Sequence, residues 1–179
     1  MDANAPTRYS PTQRRLHWLM ALLVLAAYLL TERGLLFKPG SAGCAVLRQG
    51  HFWVGLSLFA LVWWRLASRR RLGVPSISPP VDRRIMLVSN VVHIALYAFF
   101  LVMPILGLAT MWSDGTAMLI PFTGISLPAL LPENQALARV LEDLHGTIGE
   151  AFYWVIGLHV LASLWHHVVR RDDTLRRML

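Results

Sequence analysis

The chain has 179 residues, 55% of them hydrophobic and only 15% charged, with a mean hydropathy of +0.49. A soluble domain of this length cannot hide so much apolar surface, so a soluble globular fold is excluded and a bilayer is the expected solvent. A formal net charge of +7 and a pI near 10.7 would suit a nucleic-acid binder. The basic residues, however, stand in clusters between apolar stretches, so they are read as membrane topology, and nucleic acid is not an expected partner. The lone Cys44 can close no internal disulfide and belongs to no zinc-type spacing, so any redox chemistry needs a cofactor.

In chain order, Leu16 to Leu30 is the first apolar run, introduced by Ser10 as a helix cap and Pro11 in the first turn, where no amide donor is needed. Arg14 and Arg15 before an apolar core also resemble a signal peptide, but no small-x-small cleavage site follows near Thr31-Glu32-Arg33, so uncleaved insertion is expected. Phe52 to Trp64 is the second run, ending at Arg65 and the cluster Arg69-Arg70-Arg71. Ile85 to Met111 is the third, interrupted by Asn90, His93 and Pro104, and Ile148 to Trp165 is the fourth. With helical flanks the runs become spans over approximately 13–34, 48–68, 85–110 and 142–168, each near the ~20 residues that cross a ~30 Å hydrocarbon core. The second span needs Gly50 and His51 to reach that length. Residues 1–179 are read as one transmembrane domain, with no repeat, low-complexity tract or second soluble unit.

Orientation follows from the 17 Lys and Arg. With the N-terminus inside, only Arg33, Lys38, Arg48 and Arg139 lie outside, which places both termini in the cytoplasm and requires an even number of spans. The linker from Pro75 to Pro80 then lies in the basic inner loop, and the Gly- and Pro-containing stretch from Trp112 to about Pro132 is the longest outer piece.

The chemistry lies in histidines, because an ionisable side chain inside a span is costly and marks a functional site by default. His17 sits near the inner end of span one and His51 at the outer end of span two. Span four carries His145 near its outer end and His159 deeper in. These two share a helix face at levels roughly 21 Å apart. An antiparallel bundle therefore opposes His51 to His145 on the outer side and His17 to His159 on the inner side. Paired neutral imidazoles from facing helices are what six-coordinate haem iron requires. The expected fold is an all-α integral membrane bundle of four transmembrane helices with haem between them. Any one such histidine could instead hydrogen-bond a neighbouring helix. Zinc is the competing metal, but two ligands per level are too few. Gly50, Gly55, Gly146, Gly149 and Gly157 would admit a flat macrocycle or serve close helix packing. His93 has no evident partner, and a hydrogen bond, for instance to a haem propionate, is expected of it.

Several motifs carry a resemblance over essentially the whole chain. They are Tyr9-Ser10 through Arg15-Leu16-His17-Trp18, Gly50-His51, Leu144-His145, Gly157-Leu158-His159, and His166-His167 through Asp173-Thr174-Leu175 and Arg177-Met178. In this order they resemble the bacterial cytochrome b561 family, which is related more distantly to the haem b subunits of formate dehydrogenases and nickel-iron hydrogenases. The resemblance implies two haem b groups, the inner ligated by His17 and His159 and the outer by His51 and His145, in a multi-pass protein of the bacterial inner membrane. It also implies exchange of electrons with the quinone pool, and a superoxide-oxidising, ubiquinone-reducing activity.

The residues add detail to that implication. Lys38 and Arg48, with Arg33, stand on an otherwise cation-poor outer face, where they could attract superoxide, neutralise propionates or bind lipid headgroups. His166 lies seven residues beyond His159, nearly on the same helix face, and is the candidate for contact with a quinone. A membrane electron-carrier subunit serving a separate dehydrogenase is the alternative function. A transporter would want charges or broken helices at midplane, which only Pro104 and His93 approach.

Overall fold

The structure, a computed structural model, describes residues 8–32 and 36–179. Arg33 and the end of the first expected span therefore lie outside the described residues. Four helices dominate: α1 (Pro11–Thr31), α2 (Ala42–Leu72), α3 (Arg83–Ser113) and α4 (Gln135–Trp165). All four are long and apolar enough to cross a membrane, and their most apolar windows are only 0 to 11% buried by protein. Apolar residues that face outward in this way are solvated by lipid.

The helix starts are chemically marked. The Ser10 hydroxyl accepts from the Gln13 amide at 3.2 Å while Gln13 Oε1 accepts from the Ser10 amide at 3.0 Å, a reciprocal cap with Pro11 at the first helical position. Ser41 caps α2 and Asn134 caps α4 through their side chains. Gly73, at φ +72°, ends α2 in a conformation that a side chain would disfavour. Helices α2, α3 and α4 each run for 31 residues, about 46 Å, so they extend beyond the hydrocarbon and beyond the expected spans. Pro104 is accommodated within α3.

Packing is sequential, with α1 on α2, α2 on α3 and α3 on α4. The central cluster is small, formed by Met20, Leu58 and Val62. Helix α4 meets α1 and α2 mainly through side chains. Tyr28 donates to the Gly149 carbonyl at 2.8 Å and its ring lies 4.3 Å from that of Tyr153, and the histidine pairs described below supply the rest.

The two ends differ. At the basic end, the N-terminal segment, the α2–α3 connection and the C-terminal segment form one polar cap. The Tyr9 amide donates to the Arg177 carbonyl at 3.2 Å, Gln13 Nε2 to the Gly73 carbonyl at 3.0 Å, and the Ser78 amide to Asp173 Oδ1 at 2.9 Å. Arg177, itself buried, donates to the Pro75 carbonyl. At the opposite end, the stretch expected to be the longest outer piece carries a minimal antiparallel hairpin, β1 (Met118–Leu119) with β2 (Ser126–Leu127). Strands of two residues leave no alternating pattern to read in sequence. Gln49 clamps the hairpin to α2, donating to the Ala117 carbonyl at 2.8 Å and accepting from the Leu119 amide at 3.0 Å, and Trp53 Nε1 donates to the Leu119 carbonyl at 2.8 Å.

Candidate functional site

The four expected histidines meet in two pairs. Near the basic end the rings of His17 on α1 and His159 on α4 have centroids 6.3 Å apart with planes at 70°. Near the hairpin end those of His51 on α2 and His145 on α4 are 6.1 Å apart at 75°. An iron bonded at about 2 Å to the ε-nitrogens of two opposed imidazoles holds their centroids roughly 6 Å apart, so both spacings fit a six-coordinate haem. Among the described residues no group of three or more His, Cys, Asp or Glu converges to hold an ion, and pairs are what a porphyrin, with its own four nitrogens, leaves for a protein to supply.

The surroundings of the pairs differ. His51 Nδ1 lies 3.0 Å from the Ala27 carbonyl, which places its proton on Nδ1 and the lone pair on Nε2, the form that ligates iron. Helix α3 approaches His145 closely enough that a Cβ on Gly107 would come within 3.2 Å of its Cε1. His17 Nδ1, by contrast, is 3.2 Å from an Arg65 guanidinium nitrogen. Arginine can only donate, so His17 accepts there. Ligation through Nε2 requires His17 to release Arg65. The other Arg65 Nη is buried with no hydrogen-bond partner among the described residues, so the side chain has donors for an anion such as a haem propionate.

His93, whose partner was not evident from sequence, stands beside the same pair. Its ring is 5.3 Å from that of His159 and its Nδ1 is 2.6 Å from the Ser89 carbonyl. A cleft runs from it past Arg65, Arg69 and Tyr97 to Tyr9 and Gln13. Sequence marked Arg65 only as topology charge. Its position one residue past the apolar run Phe52–Trp64 was the available signal.

His166 follows another path. A wide turn over His166–Arg170 succeeds α4, and the buried His166 ring is held by Asp172, Nδ1 to Oδ2 2.5 Å, with Thr174 alongside. Burial, the largest influence on Asp172, pushes its carboxyl up, but hydrogen bonds from His166 and Thr174 together outweigh it and hold the group below the usual carboxylate range. Only His166 Nε2 is left to reach a ligand. Lys38, in the α1–α2 connection, and Arg48, one turn before His51 on α2, are both exposed at the hairpin end.

Four lipid-facing helices holding opposed imidazoles at two levels define a membrane cytochrome of the b type. The description "Prokaryotic cytochrome b561" matches residues 8–179, and the chain belongs to that family of haem-binding membrane redox proteins. It is 33% identical to "Cytochrome b561 homolog 1" of Escherichia coli K12, over 96% of this chain and 97% of that one. It is 35% identical to "Probable superoxide oxidase CybB" of Yersinia pestis, over 96% of each. It is 27% identical to "Cytochrome b561 homolog 2" of E. coli K12, over 98% of this chain and 93% of that one.

Proposed function

We propose that the chain is a di-haem superoxide:quinone oxidoreductase of the bacterial inner membrane, with His17 and His159 holding one haem b and His51 and His145 the other. The observation that carries the cofactor assignment is the pair of centroid spacings, 6.3 and 6.1 Å, at two levels of one bundle. The donor rests on the likeness to the Yersinia pestis protein named "Probable superoxide oxidase CybB", together with Lys38 and Arg48 at the hairpin end. Haem b, when bound, supplies one-electron transfer between ferrous and ferric iron.

The protein's own part is orientation and charge. The Ala27 carbonyl orients His51, and the apolar helices exclude water from the path between levels. Lys38 and Arg48 raise the local concentration of a small anion. The net reaction converts two superoxide anions, one quinone and two protons into two dioxygen molecules and one quinol. Ubiquinone is the expected quinone, taking its electrons at the basic, cytoplasmic end, where His166, its Nδ1 proton donated to Asp172, presents Nε2 to accept a hydrogen bond from the quinol hydroxyl.

The test is a reduced-minus-oxidised optical spectrum with haem quantitation on detergent-purified protein, followed by enzymatically generated superoxide and then a soluble ubiquinone. Two low-spin b haems per chain, reduced by superoxide and reoxidised by quinone, are expected. Two haems inert to superoxide would overturn the donor and favour an electron-carrier subunit serving another dehydrogenase. Absence of haem would overturn the whole assignment.

A further inference from the structure

A second cleft, about 310 Å³, opens at the surface of the basic end between the first turns of α1 and the C-terminal segment, lined by Pro11, Arg14, Arg15, Trp18, Met178 and Leu179. Its volume is about ten times the ~30 Å³ share of a liquid water, room for a phosphodiester group. The α1 residues stand at i, i+3, i+4 and i+7, so they form one helix face. Among the described residues, no acidic side chain lies in the first turn of α1 or lines the cleft.

The polar groups are partly committed to building the wall. Arg14 donates through one Nη to the Leu179 main-chain oxygen, and Trp18 Nε1 donates to the Met178 carbonyl at 2.9 Å. What remains is uncommitted among the described residues. Arg14 Nε is buried without a hydrogen-bond partner among the described residues, and Arg15 is exposed and makes no ion pair among them. Two guanidinium groups beside an indole, at the end of a lipid-facing helix, meet the headgroup layer, where tryptophan rings settle and basic pockets take phosphate groups.

We propose that this cleft binds the phosphodiester headgroup of an anionic phospholipid, which bridges Arg14 and Arg15 and thereby fastens the C-terminal segment against α1. The cleft borders the basic-end histidine pair, its Trp18 ring 5.2 Å from that of His17, but its ligand does not depend on which donor or quinone the protein uses.

Native mass spectrometry of the purified full chain, titrated with phosphatidylglycerol or phosphatidylcholine, tests it. At roughly 1 kcal/mol per basic residue, two arginines give about a 30-fold preference for the anionic lipid. The double variant Arg14→Gln/Arg15→Gln is expected to abolish that preference, while Arg83→Gln/Arg84→Gln, which removes the same charge from the start of α3, retains it. Equal binding of the two lipids by the wild type, or equal loss of preference in both double variants, would overturn the site, the second outcome meaning diffuse charge attraction. Inorganic phosphate that displaces the lipid and binds as tightly would overturn the lipid in favour of a free-phosphate site. Should the Arg14/Arg15 variant fail to fold, Arg15→Gln alone, which leaves the Arg14 to Leu179 bond intact, is expected to reduce the preference about fivefold, and an unchanged preference would overturn the proposal.

Discussion

The two histidine levels share a spacing but not a neighbourhood. At the hairpin end a backbone carbonyl orients His51 and a glycine lets α3 close on His145. At the basic end a guanidinium contacts His17, and a further imidazole, His93, crowds His159. Spacing decides which cofactor can be held, and the neighbourhood decides how readily it accepts an electron. A nearby positive charge favours the reduced, less positive iron, so a haem held at the basic end, as proposed, is expected to have the higher potential and to draw electrons toward it.

The largest effects break the pairing itself. His51→Ala or His145→Ala is expected to remove the hairpin-end haem, and His17→Ala or His159→Ala the basic-end one, each leaving one haem per chain by pyridine haemochrome assay. Two haems of unchanged spectrum in any of the four would sink that assignment. A smaller effect separates the levels by charge. Arg65→Leu is expected to keep both haems and to lower the midpoint of one component in a redox titration, and a shift of both components alike would mean that Arg65 does not act locally.

Smaller still, Gly107→Ala presses a methyl group against the His145 ring, whose neighbours must yield by a few tenths of an ångström. The low-spin electron paramagnetic resonance signal of the hairpin-end haem should move while the other stays. Movement of the basic-end signal instead would reverse the assignment of levels.

The smallest effect touches only the basic-end cap. The depressed carboxyl of Asp172 contributes stability that is fully present above the ordinary carboxylate pKa and is lost as pH falls through its lower folded value. Asp172→Ala leaves His166 and Thr174 without their partner, at a cost of about 1–3 kcal/mol. The melting temperature at pH 7 should therefore drop, whereas the wild type should hold its own between pH 7 and pH 5. A wild-type loss in that window would indicate a different titrating group.

Much of this was legible in the residues. Hydropathy marks the four spans, and the interval between His145 and His159 already places both on one face of α4 at two depths, so their partners on α1 and α2 follow from antiparallel packing. What escaped depends on how helices are rotated and spaced against each other. Nothing local in the sequence says that His93 on α3 turns toward His159, or that Arg65 reaches His17 rather than water. The wide turn at His166–Arg170 and its anchor on Asp172 likewise arise from the folded C-terminal segment, so a face computed from straight helical periodicity does not describe the surroundings of His166.

One consequence of the packing concerns biogenesis. Helices α1 and α2 form one antiparallel hairpin, α3 and α4 another, and the most extensive seam between them is that of α2 with α3. Each proposed iron would join a residue of the first hairpin to one of the second, like a rivet through two plates. Cofactor supply would then govern how much protein survives in the membrane. Cells starved of haem are expected to insert the chain normally and degrade it early, because a ligand that binds only the assembled form stabilises it by mass action.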